Sequence, residues 1–528
     1  MSVFLQPMFQ MKFVRAGVIL SAMTALSACS VGPHYHKPDP WAPGAYEPRP
    51  QDSHQFSQAS MDRPDPNWWK IFHDPELDQL ESRIAEQNLD VQRAAEELAQ
   101  SRAQMLVSGA GRFPTLDANA SYSRNQYSSK SLQYILGHIA KSSTVGGVNN
   151  PLVGDLGAAA SNAEIPLLNR WTDGIDASYE IDLWGRISSA YEQAKAEMQA
   201  SREVQRGILI ARQADMARDY MTLRGAQERL RIAQENRGLQ ASTLALTEDR
   251  HRSGLVSDVD VQSARAQLGE TDAQIARMKQ AAEEQMNAIA LLLGAPPRSL
   301  NAELEQANRI PVVPPRVPVG IPSQLAERRP DIREADARLH SATAGVASAT
   351  AEFYPKVTID AGFGIQSLSF RDFGMWSARA WNVGPRITLP IFQGGRLTGN
   401  LRLTRAQQRE AAIAYRSTVL GAWRDIDNAL IAYRDEQARH DGFTASSEAA
   451  RQSFELARDQ YRHGLTNYLN VLSAQANMEN ADLNLADSTA ELATDVVKLY
   501  NALGGGWETT YPLTRKKQIA SARAAKTN

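Results

Sequence analysis

Residues Arg252–Ala266 read RSGLVSDVDVQSARA, and residues Arg462–Ala476 read RHGLTNYLNVLSAQA. Seven of these 15 aligned positions are identical at an offset of 210. The same offset carries Trp171 onto Trp381, Gly174 onto Gly384, Gly185-Arg186 onto Gly395-Arg396, and Leu293-Gly294 onto Leu503-Gly504. Upstream the offset becomes 241, pairing Asp90 with Asp331, Leu98 with Leu339, and Phe113-Pro114 with Tyr354-Pro355. The difference of 31 marks an insertion in the first copy, between Pro114 and Trp171. The chain is therefore two copies of one unit, each longer than a solenoid repeat.

Each copy has the same internal plan. A helical stretch such as Leu77 to Val107 carries Leu80, Ile84, Leu89, Val91 and Leu98 at helical spacing. Pro114 or Pro355 ends it. Alternating strands follow. Ile175, Ala177, Tyr179, Ile181 and Leu183 oppose Asp176, Ser178, Glu180 and Asp182. In copy two, Val357, Ile359, Ala361, Phe363 and Ile365 oppose Thr358, Asp360, Gly362 and Gly364. Trp381, Val383, Ile387, Leu389 and Ile391 oppose Asn382, Arg386 and Thr388. The period fits a barrel strand, apolar to lipid and polar to a lumen. Taken alone, the strands fit a soluble sandwich with one wet face better, and the amino-terminus and the copy number shift the balance to the barrel. From Arg186 to Glu248 there is no Pro, so a helix of about 95 Å is expected. Ile187, Tyr191, Ala194, Met198 and Ile208 give it a stripe for pairing. Gly254 breaks it, and a second helix runs from about Asp258 to Leu293; Gly464 makes the same break in copy two.

The amino-terminus supplies the address. Lys12 and Arg15 precede an apolar run from Ala16 to Leu26, too short to span a bilayer. It ends Leu26-Ser27-Ala28-Cys29, and Cys29 is the only cysteine. This resembles a bacterial lipobox, which implies cleavage before Cys29 and lipidation of its sulfur and amine, palmitate included. Ser30 in the next position points to the outer membrane by the same resemblance. Met11-Lys12 is an alternative start to Met1. Residues 1–28 then read as a signal peptide and 29–66, rich in Pro, as an extended tether. Repeat one covers 67–294, a linker 295–322, and repeat two 323–508. Residues 509–528, with Arg515, Lys516 and Lys517, read as a disordered basic tail. With membrane strands in view, four strands leave backbone groups unpaired in lipid, and closed barrels have eight or more. Two chains give about eight and three about twelve.

Composition excludes other classes. The 528 residues carry 57 basic and 59 acidic side chains, a net charge of -2, which gives nucleic acid no basic footprint. A mean hydropathy of -0.41 argues against a polytopic helical membrane protein. No HExxH, P-loop, GxSxG or CxxC occurs, so enzyme activity and a cofactor have no support. The segment from Gly362 to Ser367 lacks the third glycine of a dinucleotide loop and lies on a strand. His34 and His36 could bind metal, but two histidines in a tether read better as solvated.

Several motifs together resemble one family. They are Trp68-Trp69-x-x-Phe72-x-Asp74-Pro75-x-Leu77, the tips Gly254-Leu255-Val256 and Gly464-Leu465-Thr466, Asp260-Val261-x-x-Ala264, and Leu389-Pro390-Ile391-Phe392-x-x-Gly395. The chain looks like a TolC-like outer-membrane efflux duct of the lipoprotein (NodT/OprM-like) branch, over roughly residues 30–508. The resemblance implies an α+β membrane protein. Four strands per chain would enter a trimeric 12-stranded transmembrane β-barrel, above a long periplasmic α-helical barrel built from the two repeats. It implies passive export of small molecules such as drugs, a periplasmic adaptor, and an inner-membrane pump of the RND type. Asp260 and Tyr461 match the family's periplasmic lock, while Asn470 and Ser473 stand where relatives carry acidic rings. Thr466 replaces a basic residue that reinforces the lock in some relatives. Arg252, Gly254, Leu255, Arg462, Gly464 and Leu465 would receive the adaptor. The 31-residue insertion would face the cell exterior. A protein-secretion duct and a periplasmic coiled-coil adaptor are the alternatives; an adaptor would lack the four strands.

Overall fold

The computed structural model describes residues 31–38, 58–60, 62, 64–126, 167–306, 308–320 and 328–512. Cys29, most of the insertion and the tail beyond Pro512 lie outside them. In chain order the elements are β1 (Gln58–Ser60), α1 (Pro75–Gln87), α2 (Leu89–Ala110), β2 (Thr115–Asn125), β3 (Leu168–Ile181), α3 (Arg186–Arg252) and α4 (Asp258–Leu292). They continue with α5 (Asn301–Leu304), β4 (Arg316–Pro318), α6 (Pro330–Ala351), β5 (Lys356–Ser367), β6 (Arg379–Thr388), α7 (Arg396–Arg462) and α8 (Tyr468–Leu503). Both ends of α2 and α6 differ by 241, and both ends of α3 and α7 by 210. Among the described residues no helix is long and apolar enough to cross a membrane.

Local chemistry moves several expected boundaries. The stretch from Leu77 to Val107 is two helices, because Asn88 caps twice. Its Nδ2 donates to Leu292 O at 2.7 Å, while its Oδ1 accepts from the N–H groups of Asp90 and Val91 at 3.0 and 3.1 Å. Helix α3 continues past Glu248 to Arg252. Leu183, Leu389 and Ile391 fall outside the strands. Pro390 has no N–H to donate, and Gly394 and Gly395 take positive φ, so β6 stops at Thr388. The stretch read as tether is partly built in: β1 pairs in parallel with β4, Gln58 opposite Arg316. Residues 509–512 are placed rather than part of a loose tail, Tyr511 O accepting from Arg206 at 3.1 Å.

The chain divides into two compact units that cut across the repeats. The described part of one comprises residues 31–34, 106–126, 167–192 and 344–404. It holds an antiparallel sheet in the order β2-β3-β5-β6. The register sorts side chains by chemistry. Ala118, Ile175, Phe363 and Trp381 are level across the sheet, as are Leu116, Ala177, Ala361 and Val383. Thr115, Ser178, Asp360 and Gly384 are level on the other face. There Ser178 donates to Asp360 at 2.8 Å and Arg386 pairs with Asp360 at 3.2 Å. The apolar face is exposed in this chain; Trp381 and Ile387 are each 70% accessible. At one end Tyr122, Trp171 and Phe370 pack in series with their rings tilted, centroids 4.3 and 4.9 Å apart. At the other, Trp184 stacks on Tyr354. Asp182 accepts from the N–H groups of Ile187 and Ser188 at 3.1 and 2.7 Å, starting α3. The connection between β2 and β3 is 42 residues long and that between β5 and β6 only 11.

The described part of the other comprises residues 35–38, 58–60, 62, 64–105, 193–306, 308–320, 328–343 and 405–512. Its core gathers Trp68, Trp69, Phe72, Leu77 and Leu80 against Leu209–Leu223 of α3, the end of α4 and the end of α8. Asp74 starts α1, accepting from Glu76 N and Leu77 N at 2.9 and 3.1 Å. It also accepts from the Tyr220 hydroxyl at 2.7 Å. Beside it Arg224, fully buried, reaches Glu76 at 2.5 Å, Gln227 at 2.6 Å and Gln306 O at 2.9 Å. Arg206 and Arg333 lie over the Trp507 ring at 4.2 and 5.2 Å and share Glu203.

One core group carries no compensation. Glu81 is 1% exposed, and neither carboxylate oxygen has a hydrogen-bond partner among the described residues. Burial first, then the charge of Asp78, push its pKa well above the usual range. The folded chain then holds a proton that the unfolded chain releases, so this contribution to stability falls as pH rises above the ordinary carboxyl range. Glu81→Leu should raise unfolding stability by about 1–3 kcal/mol near neutrality. The gain should widen from pH 5 to pH 8, as read in denaturant titrations of the detergent-solubilised protein. A gain that shrank with pH would contradict a neutral Glu81.

Candidate gate at the helical hairpin tips

Two hairpins, α3–α4 and α7–α8, turn at matching tips. Gly254 and Gly464 have φ of 73° and 78°, the left-handed region that ends a helix without a Cβ clash. Gly254 N donates to His251 O and Leu255 N to Arg250 O, at 2.8 and 2.9 Å. Gly464 N donates to Tyr461 O and Leu465 N to Gln460 O, at 3.0 and 2.9 Å. This pair of backbone bonds is a Schellman turn, repeated at the offset of 210. It projects Leu255 and Leu465 outward, 67% and 77% exposed. Arg252 and Arg462 are exposed beside them, Arg252 paired with Asp249.

The next helices start differently. The Asp260 carboxylate accepts from Ser257 N at 3.2 Å and Ser257 Oγ at 3.3 Å. An acid in the first turn satisfies free N–H groups and the helix dipole. The equivalent position in copy two is Asn470. Its N–H donates to Asn467 Oδ1 at 3.1 Å, and its Nδ2 donates to Thr466 Oγ1 at 2.7 Å. Asn470 and Ser473 are exposed and Asp260 is half-buried.

Tyr461 is buried between the hairpins. Its hydroxyl lies 3.4 Å from Thr247 Oγ1, which itself donates to Thr243 O at 2.8 Å. The Arg250 guanidinium covers the Tyr461 ring at 4.7 Å and donates to Tyr461 O. Phe454, Tyr468, Val471 and Met478 complete the cluster. The structure therefore does not join Asp260 to Tyr461 within the chain; Asp260 serves its own helix start and Tyr461 is held by Thr247 and Arg250 of α3. Asp260 is felt instead at Tyr468, whose phenol is pushed up by burial, then by Tyr461, then by that carboxylate. Thr247, Arg250 and Tyr468 were not singled out from sequence. A signal existed, since Phe454, Tyr461 and Tyr468 recur every seven residues. In the amino-terminal motif, Tyr35 stacks on His340 at 4.4 Å and its hydroxyl donates to Asp336, leaving His34 and His36 exposed.

Comparison with known proteins agrees over most of the chain. The family model described as outer membrane efflux protein matches residues 80–295 and 321–505. The pyoverdine export outer membrane protein OpmQ of Pseudomonas putida is 29% identical over 494 residues, covering 94% of this chain and 98% of its own. The probable outer membrane lipoprotein SilC of Salmonella typhimurium is 27% identical over 429 residues, covering 81% and 84%. The solved structure of the outer-membrane channel OprN superposes with a TM-score of 0.79 at 30% identity, covering 91% of this chain and all of that one.

Proposed function

The chain belongs to the outer membrane efflux protein family, and from that premise we propose that three copies complete one duct. The protein is an outer-membrane efflux channel, the exit component of a tripartite pump. The observation that carries the trimer is the sheet. Among the described residues its edge strands β2 and β6 have no partner in the chain, one face is apolar, and the other is hydrogen-bonded and polar. Lipid tolerates no open edge, so the sheet closes with further copies. Three copies give about twelve strands, within the range of closed outer-membrane barrels. The helices lie in the periplasm and conduct passively, driven by an inner-membrane pump of the RND type through an adaptor.

Cys29 is the lipid anchor on this reading. SilC's description as a lipoprotein supports it. So does Val31, two residues on, whose N–H donates to Trp184 O at 3.1 Å beside the stacked Trp184 and Tyr354. Mass spectrometry of the mature amino-terminus should find a processed, acylated Cys29; cleavage elsewhere contradicts the anchor. The segment between β2 and β3 faces outward.

The periplasmic end is closed at the level of Asp260, Tyr461, Asn470 and Ser473. Arg252, Gly254, Leu255, Arg462, Gly464 and Leu465 receive the adaptor. Tyr461, at 1% exposure, acts by seating the second hairpin on α3. Its hydroxyl stands 3.4 Å from Thr247 Oγ1, too long for a strong hydrogen bond, so packing makes most of a hold that docking can overcome. In planar bilayers, Asp260→Ala with Tyr461→Phe should raise the conductance of the purified trimer severalfold. Unchanged conductance in an assembled double variant would place the constriction elsewhere, at Asn470 and Ser473 first.

A further inference from the structure

Alternate residues of a strand point to opposite faces, so the register of the four-stranded sheet sorts its charges. Among the described strand residues of the apolar face, the charged ones are Arg124, Asp173 and Arg379. The polar face mixes both signs along its length, from Asp117 and Glu180 to Arg170, Lys356 and Arg386. On the apolar face all three charges fall in the same half of the sheet. Helices α2 and α6 run into β2 and β5, and α3 and α7 follow β3 and β6, at the end marked by Thr115, Ile181, Lys356 and Thr388. Arg124 and Arg379 stand at the other end, beside the strand connections. In the duct proposed above, that end faces the cell exterior.

Aromatic rings gather at the same end. Phe370 is 67% and Trp376 72% exposed. Tyr122 packs on Trp171, and its hydroxyl donates at 2.9 Å to Asn169, the residue opposite Arg124. Such rings settle at the level of lipid headgroups. An arginine on the lipid face is costly at the bilayer midplane and nearly free at the interface. Rings and arginines therefore mark one height, that of the outer headgroups.

The two guanidiniums are not neutralised there. Arg124 has no hydrogen bond or ion pair among the described residues. Arg379 lies over the Trp376 ring at 4.8 Å and donates from Nη1 to Trp376 O at 2.8 Å. That contact holds the guanidinium and leaves most of its N–H groups for another acceptor. Asp173, the acid of this face, accepts from Ile365 N at 3.2 Å, and β5 separates it from Arg379. In the connection after β5, Arg371 and Asp372 balance each other in formal charge.

We propose that this rim binds the phosphate groups of a glycolipid in the outer leaflet, with Arg124 and Arg379 each taking a phosphate and Trp376 holding Arg379 in place. The paired N–H groups of a guanidinium match two oxygens of a phosphate. The rings supply the apolar surface on which the acyl chains lie. The proposal rests on the closed trimer, where β6 of one copy adjoins β2 of the next. Arg379 and Arg124 then reach one lipid at a seam from two copies, and three seams hold three lipids.

The test uses the full-length trimer, purified in detergent and washed free of lipid. It is titrated with bisphosphorylated lipid A and read by native mass spectrometry. The parent should take up three lipids per trimer. Arg124→Gln and Arg379→Gln should each raise the concentration for half-occupancy at least tenfold. Lipid A stripped of both phosphates keeps its acyl chains and should bind at least tenfold more weakly. Arg170→Gln removes a charge near the same end but from the polar face, and should bind like the parent. Equal binding of the two lipids would overturn the proposal. So would parent-like binding by both Arg124→Gln and Arg379→Gln, or an equal loss in Arg170→Gln. Displacement of the lipid by an equal concentration of inorganic phosphate would also overturn it, by marking a site for the free ion. A trimer that takes up no lipid would sink this site alone; a spectrum without trimer would sink the assembly and the site with it.

Discussion

Gly364→Val should abolish assembly of the proposed trimer, leaving little of it in outer-membrane fractions. A Cβ on Gly364 would lie 2.1 Å from Asp173 O and 2.7 Å from the Cα of Gly174, the residue opposite it. Both are backbone atoms of the neighbouring strand, so no side chain can swing aside. Overpacking a core costs about 1–3 kcal/mol when rotamers can relax. Here relief comes only by parting β3 from β5, and a slip of one residue would turn Ile175 and Phe363 to the polar face. Gly384→Val is the control, since a Cβ there meets nothing within 4 Å. It places the same side chain on the same face of the same sheet and should assemble normally. Equal yields of the two variants would contradict the register.

Arg224→Met should be among the most damaging substitutions in the helical unit, costing about 1–3 kcal/mol, because it leaves the half-buried Glu76 carboxylate without its cation. Arg224 is inaccessible, and four groups converge on it: Glu76, Gln227, Gln306 O and the Tyr220 hydroxyl, the last at 3.1 Å. Burial pushes the Glu76 carboxyl up, and Arg224 is the main influence holding it down. Without the guanidinium, Glu76 either takes a proton or drags water into the core beneath Trp68. Adding Glu76→Gln should recover part of the loss, because neighbours in one network are not additive. Denaturant midpoints of the four proteins in the cycle decide this. Strictly additive costs would show that the pair is not coupled.

Much of this architecture was legible because it is written twice. Residues that looked unremarkable alone, such as Gly185-Arg186 or Leu293-Gly294, became boundaries once Gly395-Arg396 and Leu503-Gly504 stood at one offset from them. The strands were legible because a sheet with one apolar face imposes a period of two. That period carried the reading too far at Leu389 and Ile391, where alternation continues but Pro390 has nothing to donate. The break at Asn88 was missed because it uses a side-chain cap within an unbroken helical pattern. The pairing of β1 with β4 leaves no periodic trace, being three residues in each strand. At the tips, the residue types were visible and their partners were not. Asp260 was read toward Tyr461, but the nearer demand of a helix start claimed it.

The unequal strand connections have an evolutionary corollary. Lengthening a loop from 11 to 42 residues costs only about 1 kcal/mol in closure entropy. The segment between β2 and β3 can therefore change length and sequence at little expense to the sheet, while its counterpart between β5 and β6 stays short. In the proposed trimer, three large loops would alternate with three small ones around the outer rim. The two hairpin tips keep the likeness left by the duplication, Gly254-Leu255 standing 210 residues before Gly464-Leu465.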